Sequence, residues 1–334
     1  MRPLIYTRQG LAAAIDRHRL RRDAQFVGLA MILTVAASQV VALIPLLALA
    51  AGGAIDLSAA NYGLSANGYT LLNMLLYILT IGPPAVAASL IFRQRIHPFA
   101  AHRRVDPVSF ISLVAVGAAV CVLANFVAGF IANFFSSFGI GWPDATDGID
   151  TAPASLALNL LSTALLPGIL EEMVFRGYLL TALRRYGDRY AILVTSLLFA
   201  LLHANVLQIP FAFIVGLICG YLVVVTGNIW TAVALHAFNN GVAVIMTYVE
   251  QFLSETDASR LEMTSFLVEA AIGGVALLVL ALTGSRYLRR PNGGWTGLSG
   301  KEKWGAAFSA PLFSVALALL VLETLYVTVS YSGM

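Results

Sequence analysis

Residues 25–50 have the sequence QFVGLAMILTVAASQVVALIPLLALA, an apolar run without a charged side chain. A helix needs about 20 apolar residues to cross the hydrocarbon core of a bilayer. The run is long enough for this, and it is longer than the apolar part of a cleavable signal peptide, which has about 7–15 residues. It therefore predicts a membrane-spanning helix that stays in the mature protein as its first anchor.

The rest of the chain has the same apolar character. Of its 334 residues, 59% are hydrophobic and only 11% are charged, whereas an ordinary soluble domain is roughly 25% charged. The apolar runs lack the alternating pattern of a membrane β-barrel, so helices remain as the way to satisfy backbone groups in lipid. The sequence predicts an all-α, polytopic transmembrane helical bundle. Its two cysteines, Cys121 and Cys219, lie inside apolar runs and form no disulfide framework or zinc ribbon.

We expect nine spans, with eight as the alternative, because the fifth and sixth apolar segments are short and are separated by Pro210. Prolines should kink the second segment at Gly82-Pro83-Pro84 and the fourth at Pro167-Gly168, since proline removes a helical hydrogen bond. The nine segments cover residues 25–50, 69–92, 108–135, 155–183, 190–207, 209–225, 229–249, 265–283 and 307–330.

The charges of the loops predict the orientation of the spans. With a cytoplasmic N-terminus, the inner loops carry basic side chains and the outer loops carry acidic ones with one exception, Arg260, which is a strong positive-inside pattern. We therefore predict N-in and C-out. The inner set is Arg93, Arg95, Arg103, Arg104, Arg184, Arg185, Arg189, Arg286, Arg289, Arg290, Lys301 and Lys303, and the outer set is Asp56, Asp144, Asp147, Asp150, Glu250, Glu255, Asp257 and Glu262.

The predicted domain organisation is simple. Residues 1–24 form a basic cytoplasmic segment, either a helix on the anionic inner leaflet or a solvated tail. Residues 25–334 form a single transmembrane domain, with a catalytic core at about residues 155–245. Because topology explains the basic residues, the sequence predicts no nucleic acid partner.

Several polar side chains lie inside these apolar segments. Each ionisable group at membrane depth costs about 2.5–3.5 kcal/mol on insertion scales, so such groups must pair with one another or line a wet cavity. They fall in three segments. The fourth contains Glu171, Glu172 and Arg176, the fifth contains His203 four residues after Phe199, and the seventh contains His236 and Asn240.

Helix geometry predicts how these side chains are arranged. Residues four apart share a face, so Glu172 should pair with Arg176, and His236 should lie beside Asn240. Glu171 is rotated by about 100° from Glu172 and should be freer to meet water. Counted from the predicted cytoplasmic ends, Glu171 and His203 lie about 20 Å deep and His236 about 12 Å deep. We expect one cavity that gathers all three segments and opens toward the cytoplasm.

The three motifs EExxxR, FxxxH and HxxxN, in this order on successive membrane helices, resemble the CPBP family. This family comprises the type II CAAX prenyl endopeptidases and their bacterial bacteriocin-processing and immunity relatives. The resemblance covers about residues 155–245, and elsewhere it extends only to the presence of membrane helices. The matching residues are Glu171, Glu172, Arg176, Phe199, His203, His236 and Asn240.

The resemblance implies an intramembrane endopeptidase, which we expect in a bacterial inner membrane. Glu171 and His203 would activate a water molecule, and His236 and Asn240 would stabilise the oxyanion. Arg176 would keep at least one of two crowded carboxylates ionised. The implied partners are the lipid bilayer and a membrane-bound protein or lipidated peptide as substrate. A prenylated CAAX protein, a peptide precursor and a membrane-bound regulator all remain open.

Three alternatives are weighed against this prediction. Glu171, His203 and His236 could bind zinc, but the spacing is not HExxH, and Asn240 and Arg176 suit an oxyanion site and an ion pair. We therefore favour chemistry without a metal or other cofactor, with zinc as the alternative. A transporter is less favoured because no inverted repeat is present. A catalytically idle relative that binds another membrane protein is disfavoured by the intact set of motif residues.

Overall fold

The computed structural model describes residues 8–99, 101–138, 150–288, 291 and 296–331. Within these ranges the chain is helical, and strand-like pairing is limited to one isolated bridge between His102 and Asn228. The predicted all-α class is confirmed. The helices are α1 Arg8–Ala36, α2 Leu43–Ala51, α3 Ala66–Ile91, α4 Pro107–Ser136, α5 Pro153–Asn159, α6 Leu166–Glu172, α7 Thr181–Leu183, α8 Asp188–Leu202, α9 Ile209–Thr226, α10 Trp230–Glu250, α11 Glu255–Leu282, α12 Gly300–Phe308 and α13 Pro311–Tyr331.

Eight helical stretches of the described chain are long and apolar enough to cross a membrane, which is the alternative count. The fifth predicted segment is α8, whose 15 residues extend only about 22 Å at 1.5 Å per residue. It packs antiparallel against α9, where Gly216 faces Ser196 and Gly220 faces Ile192. The α8–α9 hairpin therefore begins and ends on the same face of the bundle. Even if the short α8 does not cross the membrane fully, the loops before and after the hairpin keep the sides predicted for them.

Contacts between loops divide the described bundle into two faces. On one face, Tyr186 and Gln94 both donate to the Asp23 carboxylate, at 2.8 and 3.0 Å, and Asn228 Nδ2 donates to the Arg103 carbonyl at 2.9 Å. These are loops that the charge pattern assigns to the cytoplasmic side. The assignment of this basic face to the cytoplasm stays a prediction, and Asp144, Asp147, Arg289 and Arg290 of the pattern lie outside the described residues.

The opposite, acidic face is joined by contacts of its own. Ser155 Oγ donates to Asn67 Oδ1 at 2.8 Å, and Tyr248 Oη donates to the Thr151 carbonyl at 2.6 Å. The two sets of loops that the charges separate are therefore also separated in space.

The basic N-terminal segment is continuous with the first span. From Arg8 onward it forms the first turns of α1, and Leu20 and Ala24 are buried. Close packing against the start of α13 fixes its position, since Gly28 lies against the backbone of Leu312.

Two π-helical stretches flank α6, which carries the two glutamates of the EExxxR motif, and Arg176 lies in the second stretch. They are Leu160–Leu165 before α6 and Met173–Leu180 after it. Such wide turns occur often at functional sites, and they change the hydrogen-bonding register of a helix. Pro167 stands in the first turn of α6, directly after the first wide turn, so its missing N–H falls where the register already changes. In contrast, α3 continues through Pro83 and Pro84.

Candidate active site

The Glu172–Arg176 pair predicted from the sequence is present and fully buried. Arg176 Nη1 lies 2.8 Å from Glu172 Oε1, and both side chains have 0% exposure. The other end of the guanidinium donates to the Gly216 carbonyl at 3.0 Å, and its carbon lies 4.8 Å from the centre of the Phe199 ring. The pair therefore ties α6 to α8 and α9.

His236 is the third member of this buried cluster. Its Nδ1 lies 2.9 Å from Glu172 Oε1, and because a carboxylate can only accept, Nδ1 is the donor. Its Nε2 is then directed toward Glu171, 3.7 Å from Oε2. Gly168 favours the close approach of α10 to α6, since a Cβ there would make a tight contact of 3.1 Å with the Cβ of Ala237. Glu172 thus orients the imidazole, a role that the sequence did not indicate.

Glu171 lies on a different side of the helix, as the sequence predicted, and its side chain is 12% exposed. Its Oε1 accepts a hydrogen bond of 2.5 Å from the Tyr77 hydroxyl on α3. Tyr77 is a site residue that the sequence motifs did not predict. The only available signal was a tyrosine near the middle of an apolar span, where a hydroxyl needs a buried partner.

His203 closes the C-terminal end of α8. Its Nδ1 lies 2.9 Å from the Phe199 carbonyl and donates to it, since a carbonyl only accepts. In the neutral tautomer this leaves Nε2 as a proton acceptor. The Phe199 ring contacts the His203 and His236 rings edge-on, with centroid distances of 5.0 and 5.8 Å, so it separates and positions the two imidazoles.

Asn240 completes the predicted set. Its Nδ2 donates to the Thr163 carbonyl at 3.0 Å, and its Oδ1 accepts from Asn239 Nδ2 at 3.2 Å. An amide group has two N–H donors, so one remains for a ligand. Thr163 lies in the wide turn before α6, which links the asparagine to the helix that carries the glutamates.

Four of the six predicted site residues line one cavity of about 270 Å³, and Glu172 and Arg176 lie behind its wall. Each water molecule in the liquid occupies about 30 Å³, so the cavity has room for several waters or a short peptide segment. The lining residues are Tyr77, Ser162, Thr163, Pro167, Glu171, Phe199, His203, Gln208, Phe211, Ala212, Val215, His236 and Asn240.

The cavity continues toward the acidic face. It shares Thr163, Gln208, Phe211 and Asn240 with a larger cavity of about 960 Å³, whose lining reaches Glu250 at the end of α10. The structure does not show the predicted opening toward the basic, cytoplasmic face. The physical reason is packing. Glu171, His203, His236 and Asn240 form the candidate catalytic layer, and the side chains on its basic side, among them Val174, Phe175 and Leu198, are buried and fill that side.

The described residues contain no group of three or more His, Cys, Asp or Glu side chains arranged to hold a metal ion. Glu171, His203 and His236, the ligands of the zinc alternative, are therefore not gathered as a ligand set. Whether the protein uses a metal stays a prediction.

Comparison with known proteins points to one family. The model described as type II CAAX prenyl endopeptidase Rce1-like matches residues 153–242. A Bacillus subtilis (strain 168) protein named "Putative membrane peptidase YdiL" is 27% identical over 163 residues, which are 45% of this chain and 64% of that protein. The chain therefore spans less than two thirds of this curated relative. No solved structure matches.

Eight apolar helices together with this relative support an integral membrane protein. The matched segment contains every residue of the three motifs. The resemblance drawn from those motifs is thereby confirmed: over residues 153–242 this chain is similar to the Rce1-like family of type II CAAX prenyl endopeptidases, a family of proteases.

Proposed function

We propose that this chain is an intramembrane endopeptidase that hydrolyses a peptide bond of a membrane-associated substrate with water activated by Glu171 and His203. The observation that carries the proposal is the convergence of four side chains on one cavity inside the bundle. Glu171, His203, His236 and Asn240 all line it.

The first chemical step is attack by water. Glu171 Oε1 is held by Tyr77, which leaves Oε2 to take a proton from a water molecule in the cavity. The oxygen of that water bonds to the scissile carbonyl carbon, and the carbonyl π electrons move to its oxygen. His203 accepts a second hydrogen bond from the same water through Nε2 and so directs its lone pair.

The second step is breakdown of the tetrahedral intermediate. Its oxyanion accepts from the free N–H of Asn240, and also from His236 Nε2 when the ring carries both protons, because Nδ1–H is committed to Glu172. A lost oxyanion donor typically costs about 3–4 kcal/mol of transition-state stabilisation. The C–N bond then breaks, and the protonated Glu171 returns its proton to the leaving nitrogen.

Glu172 and Arg176 act on the reaction through other residues. They do not line the cavity, and they hold His236 and the Phe199 ring in position. We therefore assign them as positioning residues, with Tyr77 in the same role toward Glu171.

The substrate class follows from the place of the site. Since the cavity lies among membrane-spanning helices, its substrate must present the scissile bond within the bilayer, as a membrane-bound protein or a lipidated peptide does. The protein would work in a bacterial inner membrane.

The test compares membranes from cells that express wild type, Glu171→Gln or Glu323→Gln. Glu323 is a matched control, because it is a half-buried glutamate of α13 that pairs with Gln39 away from the cavity. Mass spectrometry should find an uncleaved membrane protein or peptide that accumulates only with Glu171→Gln. Equal processing by Glu171→Gln and wild type, at equal protein levels, would remove Glu171 as the base.

A further inference from the structure

A large groove adjoins the catalytic cavity. Its volume is about 960 Å³, and it runs between α4, α10 and α11 toward the acidic face. Asn240 and Thr163 belong to both spaces. A peptide whose scissile bond lies beside Asn240 would therefore extend directly into the groove.

The lining of the groove suits a polar, extended backbone. Amide side chains stand along it on both sides, with Asn125 and Asn133 on α4 and Asn239 on α10. Phe126 and Phe266 add apolar surface to the same lining. The amide side chains can satisfy peptide N–H and C=O groups away from bulk water, and the phenyl rings can contact apolar side chains.

The charged side chains that line the groove are all acidic. Glu250, Glu262 and Glu269 line it, and its described lining contains no lysine or arginine. None of the three forms an ion pair among the described residues. The nearest basic residue in the sequence, Arg260, is engaged with Asp257 at 3.5 Å. Glu269, partly buried in a membrane helix, is the kind of group expected to have a functional partner.

The positions of these carboxylates indicate how far from the scissile bond each of them would contact a bound peptide. Glu250 lies ten residues beyond Asn240 on α10, or about 15 Å at 1.5 Å per residue. An extended peptide covers that distance with about four or five residues. On α11, which runs back through the bilayer, Glu269 lies about 10 Å deeper than Glu262. The groove is thus acidic from its mouth to near the catalytic layer.

We propose that this groove binds the extended part of the substrate next to the scissile bond and selects lysine or arginine side chains there, within about five residues of the bond. The inference rests on the proposed function for the position of the scissile bond. The charge complementarity of the groove and its continuity with the catalytic cavity identify the occupant as a basic peptide segment.

Peptide binding and peptide turnover are measured separately to test the groove proposal. The probes are three internally quenched peptides with the same apolar sequence and either two lysines, two glutamines or two glutamates in the flanking segment. Binding is followed by fluorescence anisotropy on the Glu171→Gln protein in nanodiscs. It is compared with the same protein carrying Glu250→Gln, Glu262→Gln and Glu269→Gln, and with a control carrying Glu323→Gln.

The lysine peptide should bind about tenfold more tightly than the glutamine peptide, since each partly exposed ion pair contributes up to about fivefold. The preference should weaken with added salt. It should fall below about twofold in the triple variant and persist in the Glu323→Gln control. Equal binding of all three peptides, or a preference that survives the triple change, would overturn the groove proposal. A clear preference without cleavage by the protein carrying Glu171 would instead count against the proposed function alone.

Discussion

Replacing Glu172 by glutamine removes one charge from a pair that is sealed from solvent. Both side chains have 0% exposure, and removing one partner of a buried pair typically costs about 3–5 kcal/mol. Arg176 would keep the Gly216 carbonyl and the Phe199 ring as partners. We therefore expect the lower end of that range, a decrease of about 3 kcal/mol in the free energy of unfolding.

The same change should reduce turnover, for a separate reason. Glu172 Oε1 accepts from both Arg176 and His236, and a glutamine presents one carbonyl oxygen and one NH2 group. The carbonyl oxygen can take the place of Oε1 and accept both hydrogen bonds, but without the negative charge it holds both donors more weakly. His236 would be oriented less firmly, so turnover should fall by about tenfold even in molecules that remain folded.

A second variant separates stability from catalysis. In Glu172→Gln combined with Arg176→Met, no buried cation is left unpaired, and methionine fills the space of the arginine stem. The Gly216 carbonyl loses a donor, which typically costs about 1 kcal/mol. The double variant should therefore recover about half of the lost stability while its activity stays low, because His236 still lacks its carboxylate.

Unfolding in detergent, followed by circular dichroism, and peptide turnover measure the two quantities. Glu323→Gln is the control, and we expect a change within about 1 kcal/mol, since that side chain has no buried cation as partner. Wild-type stability in Glu172→Gln would refute the reasoning. So would a double variant less stable than the single one, or one that regains full activity.

Three further predictions follow from the same geometry. Tyr77→Phe should lower turnover about tenfold without unfolding the protein, because a hydrogen bond to a charged group contributes about 1.5–3 kcal/mol; Tyr326→Phe, on the exposed surface of α13, should change nothing. Reporter fusions after Arg103 should report inside and fusions after Asp257 outside, and the reverse signals would reject N-in. Purified protein should contain substoichiometric zinc and keep its activity after strong chelation, whereas one zinc per chain, with activity lost on removal and regained on addition, would identify a metalloprotease.

The parts of the structure that the sequence predicted well are those set by local geometry. An i,i+4 relation places Glu172 beside Arg176 whatever surrounds the helix, and the structure contains that pair. The roughly 100° rotation per residue likewise separates Glu171 from it. The apolar runs predict the spans by length, and only the short α8 falls below the length of a full crossing.

The parts that the sequence did not predict depend on which helices are neighbours. Tyr77 is 94 residues from Glu171 along the chain, and no local pattern connects α3 to α6. The bond from His236 to Glu172 similarly requires close approach of α10 to α6, which Gly168 allows. A single glycine or tyrosine in an apolar span has many uses, so only tertiary packing identifies these two.

The cavity opens toward the acidic face, and this restricts the side of the bilayer from which a substrate can enter. Counting residues along a helix gives the depth of a side chain, but the open side of the catalytic layer is set by packing, and Phe175 and Leu198 fill its basic side. The groove reaches Glu250, and α11 begins at Glu255, both in the loop predicted to lie outside. If the fusions confirm N-in, the proposed function implies that the substrate reaches Glu171 from the outer half of the bilayer, as a translocated or outward-facing segment would. The fusion after Asp257 therefore also tests the compartment that supplies the substrate, and an inside signal there would assign it to the cytoplasm.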